Sequence, residues 1–312
     1  MNKYCFGVDV GGTTVKLGLF TVDGTVLDKW EIVTRKEDKG KYILSDIAAA
    51  IEEKLKDKDI DKASCVGVGI GVPGPVDADG IVHKAANLGW GEFEVAKSLS
   101  ELLMLKVRAG NDANVAALGE MWKGGGKGHK NLVAVTLGTG VGGGIIVNGE
   151  IVTGATGAGG EIGHIHIEDE ETECCGCGNK GCLEQYSSAT GIVRLAKKRL
   201  EINTDKTILT GNNLTAKAIF DALKTGDLVA LEVVEKFAKY LGKALAMIAS
   251  VVNPEIFVVG GGVSKAGEIL LSYVKKYYVQ YAFHGSRDAA FALATLGNDA
   301  GIYGAAKLVI EG

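Results

Sequence analysis

Several familiar signatures are missing from this chain of 312 residues. No G-x-G-x-x-G opens a helix after the first strand-like segment, which counts against a dinucleotide site. No G-x-x-x-x-G-K-[ST] is present either, so a Walker-type P-loop is disfavoured. The longest helical apolar run, Leu241 to Val252, carries Lys243 and is too short to cross a bilayer, so it reads as a buried core helix. Met1 leads straight into a strand-like segment, without the charged-then-apolar pattern of a signal peptide. The formal net charge of −4 offers no basic field for nucleic acid. A cytoplasmic protein with no membrane or nucleic-acid partner is expected.

What the chain does have is glycine, 46 residues of it, placed at the ends of apolar runs rather than as low complexity. Three runs end this way: Phe6-Gly-Val-Asp9-Val-Gly11-Gly12-Thr13-Thr14, Leu132 to Leu137 with Gly138-Thr139-Gly140, and Ile256 to Val259 with Gly260-Gly261-Gly262. Bare backbone N–H groups bind anions, above all phosphates. A single such cluster reads equally well as a hairpin turn. Strands are expected near 3–9, 14–22, 26–34, 64–72, 105–109, 256–260 and 290–294. Helices are expected near 41–57, where Ile43, Ile47, Ile51 and Leu55 share a face, and near 93–103, from Asp112, and near 184–200, 215–224, 228–251, 267–280 and from Asn298. Three strands, a helix and a strand, followed by a similar second half, point to a duplicated α/β lobe. Cys5 and Cys65 sit in apolar runs and read as inert core residues.

The most constraining stretch runs from Glu161 to Glu184. Glu161-Ile-Gly-His164 is followed by Cys174-Cys175-Gly-Cys177-Gly-Asn-Lys-Gly-Cys182-Leu-Glu184. One histidine and C-C-x-C-x4-C supply enough soft donors for a tetrahedral zinc ion with no open position, hence a structural one. Glycines at 176, 178 and 181 permit the tight folding this needs. The other reading is free or disulfide-bonded cysteines in a flexible loop. Asp112, where a strand gives way to a helix, is a plain N-cap or a general base for an attacking hydroxyl. Asp9 beside Gly11 and Gly12 is placed to hold magnesium, and Thr13, Thr14 and Thr139 offer hydroxyls to phosphates, or are simply turn threonines. Lys16, within a strand, reads as a surface residue or a weak phosphate contact.

Asp9-Val-Gly-Gly-Thr13, Gly110-Asn-Asp-Ala-Asn114, Leu137-Gly-Thr-Gly140, Glu161-Ile-Gly-His164, Cys175-Gly-Cys177-x4-Cys182-Leu-Glu184 and Asn253-Pro…Gly260-Gly-Gly262 occur in the order seen in the ROK family of repressors, open reading frames and sugar kinases. The chain resembles that family over essentially its whole length, and within it looks most like the bacterial ATP-dependent glucokinases. The resemblance implies a two-lobed, actin-like ATPase (ribonuclease-H-like) fold, with ATP and sugar meeting in an interlobe cleft. The small lobe is expected to be 1–115 plus 296–312 and the large lobe 116–295. ATP, catalytic magnesium and structural zinc are implied as cofactors, and a homodimer or homotetramer as the assembly.

Carried over by motif, Asp112 is the base on the sugar's primary hydroxyl. Asn111, Glu161, His164 and Glu184 grip the other hydroxyls, and Asn87 matches a sugar-contacting loop. Asp9, Gly11, Gly12, Thr13, Thr14, Gly138, Thr139, Gly140, Gly261 and Gly262 serve the nucleotide. His164, Cys175, Cys177 and Cys182 take the zinc, with Cys174 extra to the pattern. Thr14 stands where many members carry lysine. A phosphate loop beginning at Asp9 leaves no room for a preceding helix-turn-helix or epimerase. The expected reaction is phosphorylation of glucose to glucose 6-phosphate. The alternatives are a kinase for fructose, allose or N-acetylmannosamine, or a sugar sensor, which would need the sugar grip but not Asp9, Asp112 and the phosphate loops.

Overall fold

The computed structural model describes residues 3–202 and 205–311. The chain forms two compact units, Met1–Gly128 with Gly144–Gly160 and Leu296–Gly312, and His129–Gly143 with Glu161–Thr295. In the first, β1 (Tyr4–Val10), β2 (Thr14–Thr21) and β3 (Val26–Val33) form a meander. An irregular turn, α1 (Glu37–Gly40), leads to α2 (Ile43–Asp57), where Ile43, Ile47, Ile51 and Leu55 are all buried, as their 3.6-residue spacing requires. Then come β4 (Cys65–Val72), β5 (Ile81–Val82), β6 (Phe93–Glu94), α3 (Val95–Leu103), β7 (Val107–Asn111) and α4 (Asp112–Lys123). The expected boundary at 115/116 would cut α4, which is continuous to Lys123 and stays whole in the first unit.

The sheet order is β3-β2-β1-β4-β7, with β4 parallel to both β1 and β7. Asp9 pairs with Gly71, and Gly71 with Gly110. The carboxyl end of β1 and the start of α4 therefore lie at one level of the sheet, with a single strand between them. That is the edge where parallel α/β sheets carry ligands. Cys5 and Cys65 are buried on β1 and β4, and burial pushes their thiols up to about 12 and about 11.

The remaining elements are β8 (Leu132–Leu137), β9 (Val141–Val147), β10 (Glu150–Ile151), α5 (Glu184–Ser187), α6 (Ala189–Ile202), α7 (Ala216–Lys224), α8 (Leu228–Val252), β11 (Ile256–Gly260), α9 (Glu268–Tyr281), β12 (Ala290–Leu293) and α10 (Ala300–Glu311). The second sheet has the order β10-β9-β8-β11-β12, with β11 parallel to β8 and β12. This repeats the first sheet, as expected of a duplicated α/β lobe. The helix expected over 184–200 is broken at Ser188, whose backbone is extended and whose Oγ caps α6 by accepting from Gly191 N at 2.9 Å. Among the described residues no helix is long and apolar enough to cross a membrane.

Helix α10 belongs to the first unit and packs at backbone distance. A Cβ at Gly7 of β1 would stand 1.9 Å from Ile302 O, one at Gly69 of β4 1.7 Å from Ala305 O, and one at Gly119 of α4 2.2 Å from Ala300 O. Gly304 returns the fit, since its Cβ would lie 1.6 Å from Val115 O. These glycines are placed for close approach rather than for unusual dihedrals. Gly7→Ala should destabilise the protein by about 3 kcal/mol, the upper end of what overpacking costs. Gly211→Ala, with nothing within 4 Å, should leave the melting temperature within about a degree of wild type. Equal melting temperatures for the two variants would contradict the close packing.

Candidate active site and metal centre

In the first unit the Asn111 side chain caps α4, Oδ1 accepting from Ala113 N at 3.0 Å and Asn114 N at 3.1 Å. Its Nδ2 donates to Gly74 O at 3.0 Å. The capping role open to Asp112 in the sequence thus falls to Asn111, and Asp112 becomes the first helical residue. Burial first, and the charge of Asp112 second, push the Asp9 carboxyl up to about 6, while Lys16 pulls it down. Lys16 pairs directly across from Asp9 on β2 and donates from Nζ to Asn298 O at 3.1 Å, so it is part of this corner rather than loose surface. Gly11 N donates to Thr14 O at 3.0 Å and Thr34 Oγ1 to Gly11 O at 2.7 Å, so the first glycine cluster is a tied hairpin turn carrying Thr13 and Thr14. Asn87 is exposed in the single turn Ala86–Leu88.

In the second unit Glu161 and His164 flank one 3-10 turn, Ile162–His164. The donor atoms of His164, Cys175, Cys177 and Cys182 all lie within 4.8 Å of one another. Cys177 Sγ and Cys182 Sγ are 3.7 Å apart, as are Cys175 Sγ and His164 Nδ1. A tetrahedron with zinc–sulfur bonds of about 2.3 Å separates its sulfurs by about 3.8 Å, so the donor set fits that ion. Cys174 is exposed, pairs through its backbone with Lys180, and is outside the donor group. Of the three glycines, Gly178 (φ 92°) and Gly181 (φ 71°) adopt left-handed backbone and Gly176 does not. Glu184 opens α5; its Oε2 accepts from Val141 N at 3.0 Å, and its Oε1 is 3.6 Å from Cys175 Sγ.

The glycines expected to serve phosphates divide into two kinds. A Cβ at Gly12, Gly138 or Gly262 would meet nothing within 4 Å, so packing does not require glycine there. Gly140 is different: a Cβ would stand 1.8 Å from Glu184 Oε2, so the space belongs to that carboxylate. Gly261 (φ 85°) lies against Leu137, joining the ends of β11 and β8. Thr139 is exposed, and its carbonyl accepts from Thr190 Oγ1 at 2.7 Å.

The ROK family model matches residues 5–312. The chain belongs to the ROK family. It is 46% identical over 314 residues to a glucokinase of Halalkalibacterium halodurans, covering 99% of this chain and 95% of that one. A glucokinase of Thermotoga maritima is 38% identical, with coverage of 98% and 96%. Among solved structures, a ROK family glucokinase from Streptomyces griseus in complex with glucose and AMPPNP superposes with a TM-score of 0.74 at 34% identity, covering 99% of this chain and all of that one. The mixed α/β architecture is the two-lobed, actin-like ATPase fold of ROK sugar kinases.

Three residues that contact these segments carried no clear signal in the sequence. Gly301 of α10 lies against Asp9, where a Cβ would be 2.6 Å from Oδ2. Its only signal is the Gly301/Gly304 spacing on a largely apolar helix. Arg194 and Glu171 also carried no signal, since an ion pair 23 residues apart has no local pattern. Burial raises the Glu171 carboxyl, but hydrogen bonds from Arg194 and Tyr186 outweigh it and hold it at about 2. A depressed carboxyl stabilises above its unfolded pKa and loses that contribution as pH falls through its folded one. Wild type should therefore exceed Glu171→Gln in stability by about 3 kcal/mol at pH 7, with the gap closing between about pH 4.5 and pH 2. Urea titrations across that window would expose a gap that does not change with pH, which this account does not allow.

Proposed function

We propose that this chain transfers the γ-phosphoryl group of ATP to the primary hydroxyl of glucose. The observation that carries the reading is the convergence of Asp9 and Asp112 at one sheet edge, in a chain 46% identical to a glucokinase over its full length. A proton acceptor for the attacking hydroxyl, bare backbone for phosphates and hard oxygen donors are what phosphoryl transfer needs from a protein. Asp112 takes the proton of the hydroxyl as it attacks. Gly12, Gly138 and Gly262 offer backbone to the nucleotide, with Gly11, Thr13, Thr14, Thr139, Gly140 and Gly261 shaping the same loops. Asn87, Asn111, Glu161, His164 and Glu184 hold the remaining sugar hydroxyls. Asn111 has one Nδ2 hydrogen beyond its bond to Gly74, enough for one such contact.

Asp9 would hold magnesium, whose preference is for such oxygen donors; when bound, the ion neutralises phosphate charge. His164, Cys175, Cys177 and Cys182 would hold zinc as a closed structural set, which anchors the loop bearing His164 and Glu184. A cytoplasmic location, where ATP is available, fits this reading. Met247 and Val251, exposed one turn apart on α8, give it apolar surface to bury in a homodimer or homotetramer.

ADP release measured over glucose, fructose, allose and N-acetylmannosamine should favour glucose. In the same assay Asp112→Asn, which keeps the size of the side chain, should lower kcat by about two to four decades with glucose affinity retained. Turnover near wild type would remove Asp112 from the chemistry, and preference for another hexose would replace the substrate. Protein purified without added metal should contain about one zinc per chain, and Cys177→Ser should lose zinc and thermal stability together. A disulfide among Cys175, Cys177 and Cys182, or no zinc, would defeat the metal assignment.

A further inference from the structure

One guanidinium on α6 holds both margins of the cysteine loop. Arg194 Nη2 bonds the Glu171 carboxylate, whose side chain is 3% exposed. Nε reaches Glu173 Oε2 at 3.2 Å and Nη2 reaches Glu173 Oε1 at 3.1 Å. Nη1 donates to Gln185 O at 3.3 Å. Tyr186, immediately after Gln185, donates to the same Glu171 carboxylate, and the guanidinium sits 5.5 Å from the centre of its ring. Gln185 adds a second tie: Oε1 accepts from Cys182 N and Nε2 donates to Glu173 O, both at 3.0 Å.

None of these groups is a donor to the metal site, and none is among the proposed sugar ligands. Together they fix the entry to the loop at 171–173 and its exit at 182–186, with Glu184 in the exit. We infer that Arg194 is a positioning residue for Glu184 and for the four-donor cluster, bracing the loop by a means that does not depend on the metal. The sugar half of this inference rests on the glucose-kinase reading; the metal half does not. A planar fork with several fixed N–H directions is required, because three separate acceptors on two chain segments are engaged at once. Lysine would keep the charge and could satisfy only one or two of them.

The test is Arg194→Lys, with Glu171→Gln/Arg194→Met as a second variant that removes the brace without stranding a buried carboxylate. Glucose KM, ATP KM and zinc affinity by chelator competition on zinc-loaded protein are measured for each. In both variants glucose KM should rise about tenfold and zinc affinity fall about tenfold, the lower end of what lost outer-sphere support costs, while ATP KM stays within about twofold. A lower melting temperature with glucose KM and zinc affinity unchanged would make the brace merely structural and overturn the inference. So would an equal rise in both KM values. If wild type phosphorylates no hexose, the glucose-kinase reading fails, and zinc affinity alone still decides whether Arg194 positions the cluster.

Discussion

The first unit depends on helix α10 reaching the backbone of its neighbours. Gly7, Gly69 and Gly119 present no side chain where carbonyls of α10 arrive, and Gly304 does the same in the other direction. Helix packing at ordinary side-chain separation leaves 8–10 Å between axes. Packing through glycine removes that spacer and with it most of the freedom to slide, because a backbone oxygen cannot change rotamer. The consequence reaches the chemistry directly. The start of α10 puts Gly301 against Asp9, and the opposite contact, Gly119 on Ala300, fixes the helix that begins at Asp112. Two carboxylates brought close enough for one to raise the other would separate if they could. They are held by strands and by a helix seated on glycine.

The cysteine loop meets the same problem by other means. A loop of this kind buries little apolar area, so its shape must come from directed interactions. On its inner side the four donors are already gathered at distances a tetrahedral ion accepts. On its other side Arg194 and Tyr186 bond the buried carboxylate of Glu171, where such bonds are strong and a missing partner is costly, and the Gln185 side chain ties the backbone of Cys182 to that of Glu173. Glu184 stands where the two sides meet, bonded to Val141 N with Gly140 leaving the space for its carboxylate. Its position is thus set by the strand turn, the loop and α6 at once.

Much of this was legible in the sequence, for reasons that differ by feature. Soft donors clustered at short spacings marked the stretch from His164 to Cys182 as a donor group, while the choice of Cys175 over Cys174 came only from the family resemblance. The four-residue spacing of Ile43, Ile47, Ile51 and Leu55 gave α2 because one periodicity governs both helix and burial. The duplicated strand order followed from the same alternation of apolar run and glycine in each half. Glycine itself was the ambiguous letter. At Gly12 it leaves open space, at Gly140 it makes room for a carboxylate 44 residues away, and at Gly7 it admits a helix from the far end of the chain. These uses look alike until the partner is known. Asp112 was ambiguous for a related reason: its neighbour Asn111 caps helices as well, and only backbone geometry decides which of two adjacent residues stands outside the first turn. Ser188 broke an expected helix because a serine within an apolar-periodic stretch does not reveal whether its hydroxyl will cap.

The two sheets share a strand order and yet present different donors at corresponding places. Beyond β1, in the first unit, stand carboxylates; beyond β8, in the second, stands a glutamate tied to a thiol cluster. Oxygen donors suit a hard, exchangeable cation that arrives with phosphates, and thiolates with imidazole suit a soft one that stays. On the proposed assignment the two sets are not interchangeable, since thiolates would hold an ion more firmly than an exchangeable magnesium site requires and carboxylates would bind a soft ion less well. The division also accounts for His164. An imidazole facing Cys175 through Nδ1 has its ring plane set by that contact, and its second nitrogen remains to donate or accept along a defined direction. A residue that would both close the proposed metal site and offer a directed polar atom links the stability of the loop to the recognition proposed for it.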